Sequence, residues 1–126
     1  MILRTATCAC GQVRAACRGE PSKVSLCHCL ECQRRTGGPF GVAAFFPRAA
    51  VEVSGETREF RRPADSGFDV VFRFCPHCGA TVWWEALRKA DMIAVAAGAF
   101  ADPDFPAPSQ AVYGEHRHAW VPEDLV

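Results

Sequence analysis

The residues of this sequence best suited to chemistry are its eight cysteines. Seven of them form an N-terminal pair (Cys8 and Cys10), a central trio (Cys27, Cys29 and Cys32) and a C-terminal pair (Cys75 and Cys78). Closely spaced cysteines can direct their thiolates to one ion. Zinc takes four protein ligands in structural sites, and three plus a water or substrate in catalytic sites. The seven cysteines therefore divide as four plus three, which predicts two zinc ions per chain.

The spacing leaves two ways to make this division. In one, the N-terminal and C-terminal pairs form a closed four-thiolate site, and the central trio forms an open site. In the other, Cys29 and Cys32 join the C-terminal pair as a zinc ribbon, and the N-terminal pair remains with Cys27. Cys17 stands alone, and we expect it to be a small buried apolar side chain.

The composition is that of a globular protein, with 126 residues, 49% hydrophobic and 22% charged. We expect a single domain over residues 1–126. Equal numbers of basic and acidic residues, 14 each, argue against nucleic acid as a partner. No run approaches the roughly 20 apolar residues of a membrane span, and the first residues lack a signal-peptide core. These features predict a cytoplasmic protein, where cysteines serve metal binding or catalysis rather than disulfides.

The elements that must position the cysteines are mostly short strands, because the apolar runs are brief and interrupted by glycine, proline and polar pairs. The predicted strands are Val13–Cys17, Lys23–Cys27, Phe40–Phe46, Val51–Val53, Arg58–Arg61, Asp69–Phe74, Thr81–Trp84 and Met92–Ala97. We expect a hairpin through residues 54–56. Two short segments, Leu30–Arg35 and Glu85–Ala90, could be helical, and the three prolines of residues 101–108 predict a loop.

Three ordered motifs together resemble a known family. They are CxCGxVR at residues 8–14, CHCxxCQRxTG at 27–37 and FCPxCG at 74–79, followed by Arg117 and Trp120 of an RxxW ending. This set is similar to the glutathione-dependent formaldehyde-activating enzyme (Gfa) family, whose domain is shared with centromere protein V. The segment from Pro108 to Tyr113 lacks the histidine of a PxxH motif common in the family, although His116 and His118 lie nearby.

The resemblance implies a mostly β fold, described as a β-tent, with small antiparallel sheets and little helix. It also implies how the ligands divide: a structural zinc held by the two pairs (Cys8, Cys10, Cys75 and Cys78), and a catalytic zinc held by the central trio (Cys27, Cys29 and Cys32). The implied activity is that of a carbon–sulfur lyase. It joins formaldehyde and glutathione to S-(hydroxymethyl)glutathione, so the expected partner is a small-molecule thiol or its aldehyde adduct.

A zinc ion held by three thiolates is better suited to ionising a substrate thiol than to activating an aldehyde carbonyl, because the three thiolates weaken the Lewis acidity of the ion. His28 could be a hydrogen-bond donor or proton shuttle beside the zinc, or an exposed loop residue like His77. Arg34 and Arg35 could bind glutathione carboxylates or be surface charges. Two alternatives to the enzyme are a non-catalytic zinc-stabilised β-tent binding module and a redox or metal sensor.

Overall fold

The computed structural model describes residues 1–126 and is mostly β, as predicted. Its ten strands are β1 (Leu3–Thr7), β2 (Arg14–Arg18), β3 (Lys23–Cys27), β4 (Gly41–Pro47), β5 (Val51–Ser54), β6 (Arg58–Pro63), β7 (Asp69–Phe74), β8 (Thr81–Ala86), β9 (Met92–Ala96) and β10 (Gln110–Val112). The one α-helix is α1 (Leu30–Thr36), and single 3-10 turns occupy Arg48–Ala50, Leu87–Lys89, Ala97–Phe100 and Gly114–His116. None of these helices has the length and apolar character needed to cross a bilayer.

The strands form two sheets. The small sheet has the order β1-β2-β5, and the large sheet has the order β10-β3-β4-β9-β8-β7-β6. All pairings are antiparallel except that of β10 with β3, which is parallel. The prediction of antiparallel sheets with little helix is therefore confirmed, although the larger sheet has seven strands.

The two faces of the large sheet bury separate apolar clusters. The main core lies between the two sheets and includes Phe46, Val95 and Trp83. A second cluster, on the face that α1 covers, includes Phe72 and Trp84. Neighbouring strand residues point to opposite faces, so the two tryptophans of β8 contribute one ring to each cluster. Each fully buried apolar side chain of this size contributes roughly 1.5–3 kcal/mol of burial free energy.

Two expectations from the sequence are wrong. Residues 54–56 do not form a hairpin, because β5 pairs with β2 in the small sheet while β6 pairs with β7 in the large one. Gly55 has φ +92°, and a Cβ there would approach the carbonyl oxygen of Gln12 to 2.0 Å, so the chain packs tightly here as it passes between sheets. The predicted helix at Glu85–Ala90 is also wrong. Strand β8 extends to Ala86, and only Leu87–Lys89 form a 3-10 turn.

Candidate functional site

The N-terminal and C-terminal cysteine pairs meet where the two sheets join. The first pair lies in the turn between β1 and β2 of the small sheet, and the second in the turn between β7 and β8 of the large sheet. All four Sγ atoms lie within 4.8 Å of one another. The structure therefore groups the cysteines in the first of the two possible ways, and the zinc-ribbon alternative is not realised.

The sulfur geometry of this four-cysteine cluster suits a tetrahedral ion. The Sγ atoms of Cys8 and Cys10 are 3.6 Å apart, and those of Cys10 and Cys75 are also 3.6 Å apart. A tetrahedron with Zn–S distances of about 2.3 Å has sulfurs about 3.8 Å apart. Four soft thiolate donors are typical of zinc, so the residues present fit that ion.

The two turns of this cluster present their sulfurs in the same way. The backbone N–H of Val13 donates to Cys8 Sγ at 3.2 Å, and that of His77 donates to Cys75 Sγ at 3.4 Å. Burial alone raises the pKa of Cys8, but the Val13 N–H and the neighbouring thiols outweigh it and lower the pKa to about 6. Such N–H groups stabilise thiolate, which is the form that binds metal.

Glycines make both turns possible. Gly11 follows the N-terminal pair with φ +86°, and Gly79 follows the C-terminal pair with φ +78°. A side chain is strained at these backbone angles. Because each turn reverses the chain within a few residues, both cysteines of a pair face the same point.

The central trio is built from the end of one strand and the start of a helix. Cys27 is the last residue of β3, with Gly41 of β4 on one side and Val112 of β10 on the other. Cys29 is the N-cap of α1, and its Sγ accepts the backbone N–H of Cys32 at 3.3 Å. The three Sγ atoms lie within 4.8 Å of one another, and all three residues are half-buried. Three thiolates at this separation fit a zinc ion with a fourth position left for another ligand.

Arg35 lies close to the trio and adds positive charge. The pKa of Cys32 is lowered to about 5 by hydrogen bonding to Cys27, then to Cys29, with a further contribution from the Arg35 guanidinium. The pKa of Cys27 is raised by the same hydrogen bond and by burial. Gly41 makes room for this arrangement. A Cβ there would lie 2.6 Å from Arg35 Nη2 and 3.4 Å from the Cβ of Cys32.

The trio opens into a cleft of about 310 Å³, which we call the trio cleft. Besides the three cysteines, its walls include Arg62, Asp65, Tyr113 and His116. The cysteine motifs do not predict a place for Arg62, Asp65 or Tyr113 beside the trio, and the sequence places His116 only near the position of the histidine common in the family. Nothing local to these residues reveals their position, because β6 and β10 are opposite edge strands of the large sheet and the segments that follow them meet only in the folded chain.

Tyr113 is the most constrained of these cleft residues. Its backbone is left-handed, with φ 58° and ψ 41°, a conformation that is rare for a bulky side chain. Its hydroxyl donates to Asp65 Oδ2 at 2.6 Å, and this hydrogen bond is the main reason that the pKa of Tyr113 rises to about 12. The pair therefore ties the segment after β10 to the loop between β6 and β7.

Gln33 holds the same segment from the other side. Its Nε2 donates to the carbonyl oxygens of His28 at 2.9 Å and His116 at 3.1 Å. Its Oε1 lies 2.8 Å from Nε2 of His118. The backbone N–H of His28 also donates to Val112 O at 3.0 Å. Together these contacts fix residues 112–118 beside the trio.

His28 is buried and does not line the trio cleft, so its interpretation as an exposed loop residue is wrong. Its ring packs edge-on against Phe40, at 6.0 Å between centroids, and Nδ1 has no hydrogen-bond partner. A role as a donor or proton shuttle beside the trio stays a prediction. His77 is exposed, as predicted.

Cys17 matches the prediction of a small buried apolar side chain. Cys17 is fully buried in the main core, and burial raises the pKa of its thiol to about 11.

The end of α1 is fixed by its own residues. Thr36 Oγ1 donates to Cys32 O at 2.9 Å, and Gly37 ends the helix with φ 67°. Arg34 is exposed and pairs with Glu31.

Comparisons with known proteins agree with this geometry. A family model described as "Glutathione-dependent formaldehyde-activating enzyme" matches residues 3–116. A crystal structure of a Rhodobacter sphaeroides protein shares the fold with a TM-score of 0.62 and 18% identity. The match covers 85% of this chain and 98% of that one. No curated protein sequence matches the chain significantly.

Proposed function

Because the chain belongs to the glutathione-dependent formaldehyde-activating enzyme family, we propose that it is a zinc-dependent carbon–sulfur lyase. Its substrate is a thiol–aldehyde adduct such as S-(hydroxymethyl)glutathione. The observation that supports this proposal is the placement of the central trio, whose three half-buried thiolates line an open cleft instead of being enclosed. A purely structural role does not require an open three-ligand site.

The two clusters take different roles in this proposal. Cys8, Cys10, Cys75 and Cys78 would hold a structural zinc. Cys27, Cys29 and Cys32 would hold the catalytic zinc. An ion held by the trio would stabilise thiolate over thiol in a bound ligand at neutral pH.

The reaction balances without a redox partner. In the synthetic direction, the ligand sulfur bonds to the formaldehyde carbon, the carbonyl π bond breaks, and the thiol proton ends on the new hydroxyl oxygen. In the reverse direction, the C–S bond breaks and the hydroxyl proton returns to sulfur. The protein must therefore hold the sulfur, orient the aldehyde and provide a route for one proton.

Three cleft residues serve this proton and the aldehyde oxygen. The Tyr113 hydroxyl hydrogen is committed to Asp65, which leaves the phenolic oxygen to accept a hydrogen bond from the adduct hydroxyl. His116 lines the same cleft, and its imidazole can accept or donate a proton. We assign Tyr113 and Asp65 to orientation and His116 to proton transfer.

The test is to follow adduct formation with the zinc-loaded protein. Formaldehyde is mixed with glutathione, and exchange between free thiol and hydroxymethyl adduct is measured by NMR. We expect the protein to accelerate exchange at least ~10-fold above the buffer rate, since positioning and thiolate formation both lower the barrier. Cysteamine and 2-mercaptoethanol in place of glutathione report the thiol preference.

Matched cysteine variants identify the responsible site. Cys29→Ser should abolish the acceleration, whereas Cys17→Ala, which alters a cysteine outside both clusters, should retain it. Exchange at the buffer rate for every thiol tried would overturn the lyase and favour a non-catalytic zinc module. Release of zinc by mild peroxide without any catalysis would favour the sensor.

A further inference from the structure

A second pocket, of about 420 Å³, lies beside the trio cleft on the face of the large sheet that α1 covers. Its apolar walls are the rings of Phe60, Phe72 and Phe74. Phe60 and Phe72 are stacked, with centroids 6.5 Å apart and planes inclined by 24°. We call this cavity the arginine pocket, after the groups described next.

The charges lining this pocket are predominantly positive. Arg34, Arg35 and Arg62 face it, together with one carboxylate, that of Glu31. The chain as a whole has no net charge, so three guanidiniums against one carboxylate are a local excess. Guanidinium groups form paired hydrogen bonds with planar anions, so this excess favours a negatively charged ligand.

Aromatic rings hold two of the arginines in place. The Arg35 guanidinium lies 4.4 Å from the ring centroid of Trp84, and that of Arg62 lies 5.3 Å from the centroid of Phe72. Arg35 belongs to none of the ion pairs of the structure. The side chain of Arg62 is only 19% exposed, and its one carboxylate neighbour is Glu31, at 3.7 Å from Nε. Both guanidiniums therefore retain N–H groups for a ligand.

Glu31 shows which anion this pocket accommodates. Its carboxylate pairs with Arg34 and also lies near Arg62, so a carboxylate already sits between two of the guanidiniums. Glu31 and Arg62 also line the trio cleft. The two cavities are therefore adjacent, and a single extended molecule can reach from the sulfurs to the arginines.

We propose that the arginine pocket binds an ionised carboxylate of the thiol ligand, with Arg35 and Arg62 as donors, in competition with the carboxylate of Glu31. The inference rests on the proposed function, since it takes the thiol of the same ligand to lie in the trio cleft. The ligand class is thus a thiol that carries a carboxylate on an extended chain, and neutral or cationic thiols bind weakly.

Three glutathione-derived probes separate the two ends of the ligand. Glutathione carries both thiol and carboxylates, S-methylglutathione keeps only the carboxylates, and glutathione diethyl ester keeps only the thiol. Binding of each to the zinc-loaded protein is measured by titration calorimetry, with inorganic phosphate as a competing anion. We expect glutathione to bind most tightly, with measurable binding of S-methylglutathione and weaker binding of the ester than of glutathione.

Neighbouring arginines of β6 supply a matched pair of variants. Arg62→Gln should weaken the binding of glutathione and S-methylglutathione at least ~10-fold, because charge-assisted hydrogen bonds are lost. The binding of the ester should be unchanged. Arg61→Gln, whose side chain is 51% exposed and pairs with Asp69, should change none of the three more than twofold. Glu31→Gln should tighten both carboxylate probes several-fold, since the internal competitor is removed.

Arg62→Gln should weaken carboxylate binding and Glu31→Gln should tighten it, so either variant alone tests the proposal if the other is unstable. Equal losses for Arg61→Gln and Arg62→Gln would overturn the carboxylate site, as would an ester that binds as tightly as glutathione. Displacement of S-methylglutathione by phosphate at equal concentration would overturn it in favour of a general anion site. Arginine-dependent binding of S-methylglutathione with no adduct exchange would overturn only the proposed function.

Discussion

In the four-cysteine cluster Cys8 and Cys75 are buried in the main core while Cys10 and Cys78 are exposed, whereas the cysteines of the central trio are all half-buried beside a cleft. Within each cluster the sulfurs lie within 4.8 Å of one another, so the spacing of the sulfur atoms does not distinguish the clusters. The elements that support the clusters do distinguish them. The four-cysteine cluster links turns from the two sheets, whereas the central trio joins β3 to α1.

This difference predicts different roles for the two clusters. An ion in the four-cysteine cluster would connect segments that are far apart in sequence, so its binding free energy becomes folding free energy. An ion in the trio would connect residues already close along the chain, and it would leave one position for a ligand. We therefore expect stability and function to be separable by cluster.

The largest effect should come from Cys75→Ser. Cys75 is fully buried and belongs to both the cluster and the main core. Structural zinc sites contribute roughly 10 kcal/mol in small domains, comparable to the whole free energy of unfolding. We expect loss of cooperative thermal unfolding by circular dichroism and loss of zinc from this cluster. A cooperative transition within about 5 °C of wild type would remove the structural role from this cluster.

Cys29→Ser should have a large effect on activity and a small one on stability. Serine is a good N-cap residue, so α1 should keep its start while the trio loses a thiolate. We expect zinc per chain to fall from two to one and adduct exchange to fall to the buffer rate, since the bound thiol is no longer ionised. The melting temperature should drop by less than about 5 °C. Collapse of the fold in this variant would show that the trio, too, is structural.

Tyr113→Phe tests the attachment of the segment that borders the trio cleft. The variant removes the hydroxyl that donates to Asp65. Opening of residues 110–116 should then become about fivefold more frequent. Hydrogen exchange at the His28 amide, which donates to Val112 O, reports this opening. The amide of Cys75, which donates to Ala80 O in the other cluster, is the internal control. Equal acceleration at both amides would mean that the whole fold had loosened.

Cys17→Ala should produce the smallest effect, because this cysteine belongs to neither cluster. Zinc content and exchange activity should be unchanged, with a cost of about 1 kcal/mol at neutral pH for the lost sulfur. The pKa of Cys17 is raised from 9.0 to about 11. Between these values the unfolded thiol loses its proton while the folded one keeps it, so stability falls as pH rises, by about 1 kcal/mol per unit.

Urea titrations of wild type and Cys17→Ala at pH 8 and pH 10 measure this difference. Wild type should lose more stability than the variant over this interval. Equal losses would mean that the thiol of Cys17 ionises as readily in the folded state as in the unfolded one. A change in zinc content would instead place Cys17 within one of the two clusters.

Much of the fold was predictable because its signals are local. The structure places β3 and β7 at the predicted bounds Lys23–Cys27 and Asp69–Phe74, since turn residues flank their apolar patterns. The spacing of cysteines within each group also marked the turns that could bind metal. The division between clusters was not local, however. It needed either the resemblance to a family or the observed meeting of two sheets.

The features of the fold and site that the sequence did not predict depend on contacts between distant segments. Strand β10 has three exposed residues, and only its pairing with β3 makes it a strand. The trio cleft likewise gains Asp65 and Tyr113 from segments 48 residues apart. The hairpin prediction failed for the same reason, because the turn chemistry at Gly55 suits a hairpin while the partners of β5 and β6 lie in different sheets.

The parallel pairing of β10 with β3 has a consequence for the order of assembly during synthesis. The trio spans only residues 27–32, whereas Gln110 meets Ser25 across 85 residues of chain. Closing a longer loop costs more conformational entropy and takes longer. On a growing chain the three thiols are therefore complete and accessible well before the segment that borders them has been made. Any metal that binds the trio can thus do so before the trio cleft has closed.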